Sequence, residues 1–313
     1  MNYIDRGGEQ VYVQPFDANG IEFYGFLLPA DPDILQKNLC DKYFNEPSGG
    51  KVKFRPAGPF VLLVFCKLNS LISKSPPYDN YGWYSEQEAA VWVLTIDETR
   101  NRLFWAFPYI WVDNALAMSM GREIYGFPKG LGWFQMPDSP ASADMFTMDT
   151  LALKTLDSKT QGVREQLMKV ERVVEGKAQA EWGSIKEGGE AVLKSLGMFA
   201  PANGIWDDLE LIAHSLEDLI PGNCPFVFLK QFRDIADGYK ACYQSIVEVP
   251  CKMTNFYSGG FLPGQYEVTF ADFASHPIVK DLGLSGNVVQ PVLSYWTKFD
   301  FVVGNGTEIW KGQ

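Results

Sequence analysis

The sequence predicts an α+β fold in which β-strands dominate and one helical segment interrupts them. Four segments are rich in β-branched and aromatic residues and are bounded by Gly, Pro or Asn, as strands usually are: 21–29, 60–68, 89–97 and 102–112. Strand-like sequence returns after Cys224. Aromatic residues make up 14% of the 313 residues, which indicates an aromatic-lined interior. This strand–helix–strand order predicts a single domain over residues 1–313.

Several segments have the apolar spacing of helices. After the first strand, Asp31 is a candidate N-cap with Pro32 at the first helical position, and residues 115–126 form a short helix that ends at a glycine. Between 162 and 222, apolar stripes lie among charged residues: Leu167, Val170, Val173, Val174, Leu209, Ile212, Leu216 and Leu219. We expect 162–222 to be a helical insertion that covers the mouth of the domain or forms an oligomer contact, and we expect a homo-oligomer.

Composition excludes several classes of partner. The net charge of −11 argues against nucleic acid, because phosphates need a basic surface. Five cysteines without a CxxC spacing argue against a disulfide framework or a structural zinc site and favour a reducing compartment, the cytoplasm. The first residues lack the pattern of a signal peptide, and no stretch approaches the ~20 apolar residues of a membrane span. We expect no membrane partner.

The usual catalytic motifs are missing from the sequence. It contains two histidines, no HExxH, no G-x-S-x-G and no phosphate-binding GxxxxGK[ST]. A metal site is therefore not expected, although spacing alone leaves a Ser-His-Asp triad open, since its members are distant in sequence. The remaining candidate is Lys129.

Lys129 follows an aromatic residue and a proline, Phe127 and Pro128, between two glycines. A free lysine has a pKa near ~10.4, so almost none of it is the nucleophilic amine at neutral pH. Burial lowers that pKa by disfavouring the charged form. The pattern therefore fits either a nucleophilic amine kept away from water or a surface lysine after a turn proline.

The segment DNALAMSMGREIYGFPKGLG, residues 113–132, resembles the active-site segment of the acetoacetate decarboxylase family. GWYSE, residues 82–86, is similar to a second conserved segment of that family. The resemblance implies that Lys129 forms a Schiff base and that Glu86 is catalytic, and it places the substrate-binding residues nearby: Tyr84, Arg122, Glu123 and Phe127. It also implies a closed, cone-shaped barrel of mainly antiparallel strands.

The sequence departs from that family at three places. Gly130 stands where the decarboxylases carry a second lysine, residues 21–29 contain no arginine, and 60–68 contains no glutamate. Without a neighbouring cation, we expect the pKa of Lys129 to be less depressed than in those enzymes. Activity would then rise with pH above neutrality, and acetoacetate would be a poor substrate.

The sequence thus predicts a Schiff-base lyase that acts on a small β-keto acid or related carbonyl compound and needs no cofactor or metal. Two alternatives stay open. One is a Schiff-base aldolase-dehydratase of the same superfamily. The other is a protein that binds a small molecule without catalysis.

Overall fold

The computed structural model describes residues 2–8, 12–177, 180–197 and 225–312. Within these residues, 15 strands join one hydrogen-bonded sheet. The strands are β1 Phe16–Pro29, β2 Phe54–Pro56, β3 Phe60–Ser73, β4 Tyr84–Asp97, β5 Arg102–Val112, β6 Lys129–Gln135, β7 Met145–Ala152, β8 Val163–Val174, β9 Phe226–Arg233, β10 Ala241–Val249, β11 Cys251–Phe261, β12 Gln265–Phe270, β13 Val288–Val289, β14 Leu293–Val303 and β15 Thr307–Lys311. The predicted strand-dominated α+β class is confirmed.

The strand order is β11-β14-β1-β3-β4-β5-β6-β7-β8-β12-β13. Most pairs are antiparallel, whereas β5 pairs in parallel with both β6 and β9. The sheet branches at β5, because Ile110–Val112 pairs with β6 while Trp105 and Ala106 pair with β9. Among the described strands, β11 and β13 stand at the two ends of the path and do not pair with each other. The path is therefore open, and the expected closed barrel is corrected to an open sheet.

The α-helices among the described residues are few and short. They are α1 Pro32–Leu35, which continues as a π-helix Gln36–Asn45, then α2 Ala115–Ile124, α3 Ile185–Gly197 and α4 Ile278–Leu282. Asp31 caps α1 as predicted, since its carboxylate accepts hydrogen bonds from the backbone of Asp33 and Ile34. No helix among the described residues is long and apolar enough to cross a membrane.

The predicted helical insertion over 162–222 is wrong at its start. Residues 163–174 form β8, which pairs with β7 on one side and β12 on the other. The spacing of Leu167 and Val170 is typical of a helix, but valine also favours strands. Hydrogen bonding to β7 and β12 stabilises the strand. The later α3 is helical as predicted, whereas 206–222 lies outside the described residues. The single-domain organisation stays a prediction.

The sheet separates two apolar clusters, because neighbouring residues of a strand point to opposite faces. On β1, Tyr24 and Phe26 belong to one cluster, while Phe23 and Leu27 belong to the other. The second cluster also takes in Trp182 and the side chain of Val192 from α3. It surrounds the candidate site.

Candidate active site

Lys129 is positioned by the turn that joins α2 to β6. Asn114 caps the start of α2 by accepting a hydrogen bond from the backbone of Ala117 at 2.8 Å. After the helix ends, Gly126 adopts a φ of 89°, where a side chain would also meet the backbone of Lys230 at 2.6 Å. The chain then enters β6 at Lys129, opposite Ile110 of β5. This route leaves Lys129 only 7% exposed.

The ammonium group of Lys129 faces two carboxyl groups on β4. Its Nζ lies 2.7 Å from Oε1 of Glu86 and 4.0 Å from Oε2 of Glu88. Residues two apart on a strand share a face, so both glutamates point toward the lysine. Both are buried. The structure therefore brings Lys129 and Glu86 together as the sequence predicted.

The protonation of this cluster differs from the expected neutral amine. Burial lowers the pKa of Lys129, but the carboxyl groups of Glu86 and Glu88 raise it, and the net direction is upward. The resting lysine is therefore an ammonium ion. Burial, with the charge of Glu86, raises the pKa of Glu88 to about 8 despite the opposing effect of Lys129. At neutral pH Glu88 thus holds a proton that it can donate.

Gly121 of α2 makes room for the lysine. A Cβ atom added at Gly121 would lie 2.8 Å from Cδ and 3.1 Å from Cε of Lys129. Any larger residue would force the lysine stem to shift from its present position. On the other side, the ammonium lies 5.2 Å from the centre of the Phe127 ring, within reach of a cation–π contact.

Gly130 has a different role from the one its position suggested. A Cβ atom there would lie 3.1 Å from Cδ1 of Trp111, a residue of the opposite apolar cluster. Because neighbours on a strand alternate in direction, a side chain at 130 starts away from the face that carries Lys129. From the absence of a cation at position 130, the sequence predicted a pKa of Lys129 that is less depressed than in the decarboxylases. Despite burial, the pKa is instead raised above its ordinary value by the two glutamates.

Lys129, Glu86 and Glu88 line a cavity of about 140 Å³ whose walls are otherwise mostly apolar. Tyr84 and Phe127 line it, as predicted for substrate-binding residues, although their role stays a prediction. Its further aromatic walls are Phe16, Phe23, Trp92, Phe107, Tyr125, Trp182, Phe226, Phe256, Tyr295, Phe299 and Phe301. Such walls exclude water from the amine.

Arg122 and Glu123 do not line this cavity, and their predicted role in substrate binding stays a prediction. The helix turns them away, because Ala117, Met120 and Gly121 occupy the face of α2 toward the cavity. Arg122 donates a hydrogen bond to the backbone oxygen of Lys129 at 3.1 Å and lines a second pocket of about 200 Å³ behind Phe127. Glu123 accepts a hydrogen bond from the hydroxyl of Tyr3 at 2.9 Å.

Sequence reasoning missed three contributors to the site. Glu88 is the second carboxyl group, and its signal was its position two residues after Glu86. Cys66, on the neighbouring strand β3, lies in the same wall, where burial and then the charges of the glutamates raise the pKa of its thiol. Gly121 carried no signal of its contact with Lys129. Within the described ranges, no cluster of three or more His, Cys, Asp or Glu side chains could hold a metal ion.

The comparisons with known proteins identify the fold. No protein-family model and no curated protein match the chain. An acetoacetate decarboxylase from Legionella pneumophila superposes with a TM-score of 0.60 at 13% identity, over 95% of this chain and 88% of that one. The chain therefore has the acetoacetate decarboxylase-like fold that the resemblance implied.

Two further solved structures support the same fold. The enduracididine biosynthesis enzyme MppR, complexed with pyruvate, has a TM-score of 0.57 at 14% identity, covering 95% of this chain and 91% of MppR. An acetoacetate decarboxylase-like enzyme from Sphingomonas wittichii RW1 has a TM-score of 0.56 at 12% identity, with 96% and 95% covered. Enzymes with different names thus share this architecture.

Proposed function

We propose that the protein is a Schiff-base-forming carbon–carbon lyase that acts on a β-keto acid or related carbonyl compound through Lys129. The observation that carries the proposal is the buried contact of 2.7 Å between Nζ of Lys129 and Glu86 inside an apolar cavity. A buried, paired lysine contributes little to stability, whereas an amine beside a proton acceptor is suited to attack a carbonyl carbon.

The first step is the transfer of a proton from the ammonium of Lys129 to the carboxylate of Glu86. Substrate binding favours this step, because displaced water leaves the charged pair in a less polar environment. The free amine then attacks the carbonyl carbon and forms a carbinolamine. Glu88, protonated at neutral pH, can donate its proton to the departing hydroxyl, so that water leaves and an iminium ion remains.

The iminium ion is the electron sink for bond cleavage. In a β-keto acid, the bond between the α-carbon and the carboxylate breaks, CO2 leaves, and the electron pair forms an enamine. A proton from a carboxyl group of the site returns to the α-carbon. Water then hydrolyses the iminium, which releases the ketone and restores Lys129 as an ammonium ion, and Glu88 takes up a proton from solvent. Because the lysine itself accepts the electrons, the mechanism uses no cofactor.

A second candidate, a Schiff-base aldolase-dehydratase, is favoured by the charges of the site. Apart from Lys129, the described residues lining the cavity include no lysine or arginine, while two of them are glutamates. Because Glu88 is protonated at neutral pH, a substrate carboxylate would compete with the carboxylate of Glu86 for Lys129, the one cation among these described lining residues. A ketone that lacks a carboxylate avoids this competition for Lys129. MppR, which shares the fold, has been solved with the condensation product of pyruvate, itself a keto acid, and imidazole 4-carboxaldehyde. That structure supports condensation of a carbonyl compound with an aldehyde, not the choice of a ketone without a carboxylate.

Reduction with borohydride in the presence of candidate ketones tests the proposal. We expect an adduct at Lys129 by peptide mass mapping. Release of CO2 from a β-keto acid would assign the lyase, whereas coupling of an aldehyde with a ketone would assign the aldolase. The absence of an adduct with every ketone and keto acid would contradict both and leave a binding protein.

A further inference from the structure

The cavity has two chemically different ends. Lys129, on β6, and the two glutamates, on β4, form the charged end. Along the sheet, β3 and β1 separate β4 from β14, a distance of about 14 Å for three strand spacings. The far end is formed by β14, β11 and the helix α3 that lies on them. Among the described residues that line the cavity, lysine and glutamate side chains therefore lie at one end only.

The far end presents apolar surfaces. Trp182 is held there by backbone hydrogen bonds with Gly259, at 2.7 and 3.3 Å. Its ring packs edge-on against Phe261, with centroids 5.0 Å apart. Tyr295 contributes its ring rather than its hydroxyl, which is buried and lies 3.0 Å from where a Cβ atom of Gly25 would stand.

Helix α3 completes this end with small and aliphatic residues. Ile185, Gly188, Gly189 and Val192 line the cavity, and Val192 is only 2% exposed. A Cβ atom at Gly188 would meet Trp182 at 2.8 Å, so the glycine is what lets the indole lie under the helix. A glycine inside a helix lowers stability relative to alanine. At Gly188 the burial of the Trp182 ring against the helix offsets that loss.

The volume of the cavity, with its charged end included, limits the size of the whole substrate. Its volume is about 140 Å³. An apolar protein cavity of roughly 150 Å³ stays dry and binds benzene. Acetyl-sized substrates would leave most of this space empty, and an unfilled apolar cavity forfeits both burial and packing contacts.

We propose that the carbonyl substrate carries an apolar group, at most about the size of a phenyl ring, which lies under α3 between Trp182, Val192 and Tyr295. The inference rests on the proposed function, because it assumes that the carbonyl reacts with Lys129. Edge-to-face contacts with the surrounding rings favour an aromatic group. Residues Trp182 and Val192 then determine specificity, while Lys129 and the glutamates carry the chemistry.

Two ketones with the same reacting unit test the proposal: butan-2-one and 4-phenylbutan-2-one. Each is trapped on the protein with cyanoborohydride, and the yield at Lys129 is divided by the yield on free Nα-acetyllysine. We expect the phenyl ketone to reach half-maximal trapping at about tenfold lower concentration or less, because its ring is buried. Equal concentrations for the two ketones would overturn the inference.

A matched pair of variants on α3 locates the ring. Val192→Phe fills the far end, so we expect the preference for the phenyl ketone to fall to about twofold or less while butan-2-one is trapped as before. Glu190→Phe adds the same side chain at an exposed position of the same helix and should keep the preference. If Val192→Phe fails to fold by circular dichroism, Ile185→Phe replaces it. Retention of the preference in a folded cavity variant would overturn the inference.

A ligand that cannot form a Schiff base separates this inference from the proposed function. 4-Phenylbutan-2-ol carries the same ring without the carbonyl, and its binding is measured by calorimetry. Binding that Val192→Phe abolishes, with no ketone trapped at Lys129, would support the apolar site and contradict the lyase. Trapping of both ketones without binding of the alcohol would support the Schiff base and overturn the apolar site.

Discussion

Two lysine–glutamate pairs of this protein have nearly the same contact distance and different surroundings. Nζ of Lys129 lies 2.7 Å from Glu86, and Nζ of Lys298 lies 2.6 Å from Glu22. Each pair joins side chains from different strands of the same sheet. The side chains of the first pair are 9% and 2% exposed, whereas those of the second are 37% and 20% exposed.

Burial changes what the same contact can do. The Lys298 pair keeps contact with water, where such pairs contribute little free energy and little chemistry. The Lys129 pair has lost its hydration, and the attraction between the charges has to offset that loss. A proton transfer from Lys129 to Glu86 removes both charges, which a dry cavity favours more than water does. The comparison predicts that Lys129 and Glu86 take part in the reaction and that Lys298 and Glu22 do not.

The largest expected effect comes from replacing the lysines. Lys129→Ala should abolish the ketone adduct and turnover, whereas Lys298→Ala should retain both. Because removing one partner of a buried pair can cost roughly 3–5 kcal/mol of stability, Lys129→Arg is made in parallel. Arginine keeps the positive charge but is no nucleophile, since it stays protonated.

Peptide mapping of the reduced proteins, with circular dichroism as the control for folding, measures this prediction. An adduct of undiminished yield at a different lysine in the Lys129→Ala protein would contradict the assignment. So would turnover by a folded Lys129→Arg protein.

Replacing the glutamates should give a smaller effect. Glu86→Gln keeps the shape of the side chain but cannot accept the proton, so we expect kcat to fall by about 10²–10⁴, more than binding weakens. Glu22→Gln, in the exposed pair, should change kcat by about twofold or less. Steady-state kinetics on a ketone that the wild type turns over give both values. Wild-type kcat in Glu86→Gln would remove Glu86 from the mechanism.

The sequence predicted that Lys129 and Glu86 share one site, but it did not predict the whole cluster of ionisable groups. Lys129 and Glu86 lie in short motifs that can be recognised without a structure. Glu88 was overlooked because the predicted strand began at residue 89, whereas β4 begins at Tyr84. Only the longer strand places Glu86 and Glu88 on one face. The pKa direction of Lys129 was misjudged for the same reason, since it depends on both carboxyl groups.

Contacts between distant parts of the chain explain the other differences from the sequence prediction. The apolar spacing in 163–174, considered alone, fits a helix. Hydrogen bonding to β7 and β12, which are distant in sequence, stabilises a strand instead. Arg122 and Glu123 belong to the recognised motif, yet the rotation of α2 turns them from the cavity. Helix α3 lies over β11 and β14, and Trp182 packs beneath it. The spacing of residues within α3 does not predict this contact with distant strands.

A single added methyl group should disturb the buried pair without removing either charge. In Gly121→Ala the new Cβ lies 2.8 Å from Cδ of Lys129, so the lysine must shift. Since a misplacement of about 1 Å can cost about 10²-fold in rate, we expect kcat/KM to fall by about 10- to 100-fold.

Gly162→Ala is the control for Gly121→Ala, because its Cβ would meet nothing closer than 3.5 Å. We expect that variant to keep kcat/KM within about twofold of the wild type. Thermal melting of both variants excludes unfolding as the cause. A Gly121→Ala protein with wild-type kcat/KM would show that the lysine does not need its present position.

The smallest effect concerns the shape of the pH profile. Glu88, whose pKa is raised to about 8 mainly by burial, is protonated below that pH and ionised above it. Ionisation removes the proton that Glu88 donates and adds a negative charge beside Lys129, which raises the pKa of the amine further. Loss of protons from Lys129 itself acts in the opposite sense, because the free amine becomes more abundant as the pH rises. The profile of kcat/KM should therefore rise above neutrality and change slope near pH 8. Glu88→Gln cannot ionise, so its profile should rise without that change of slope, and a slope change that persists in Glu88→Gln would assign it to another group.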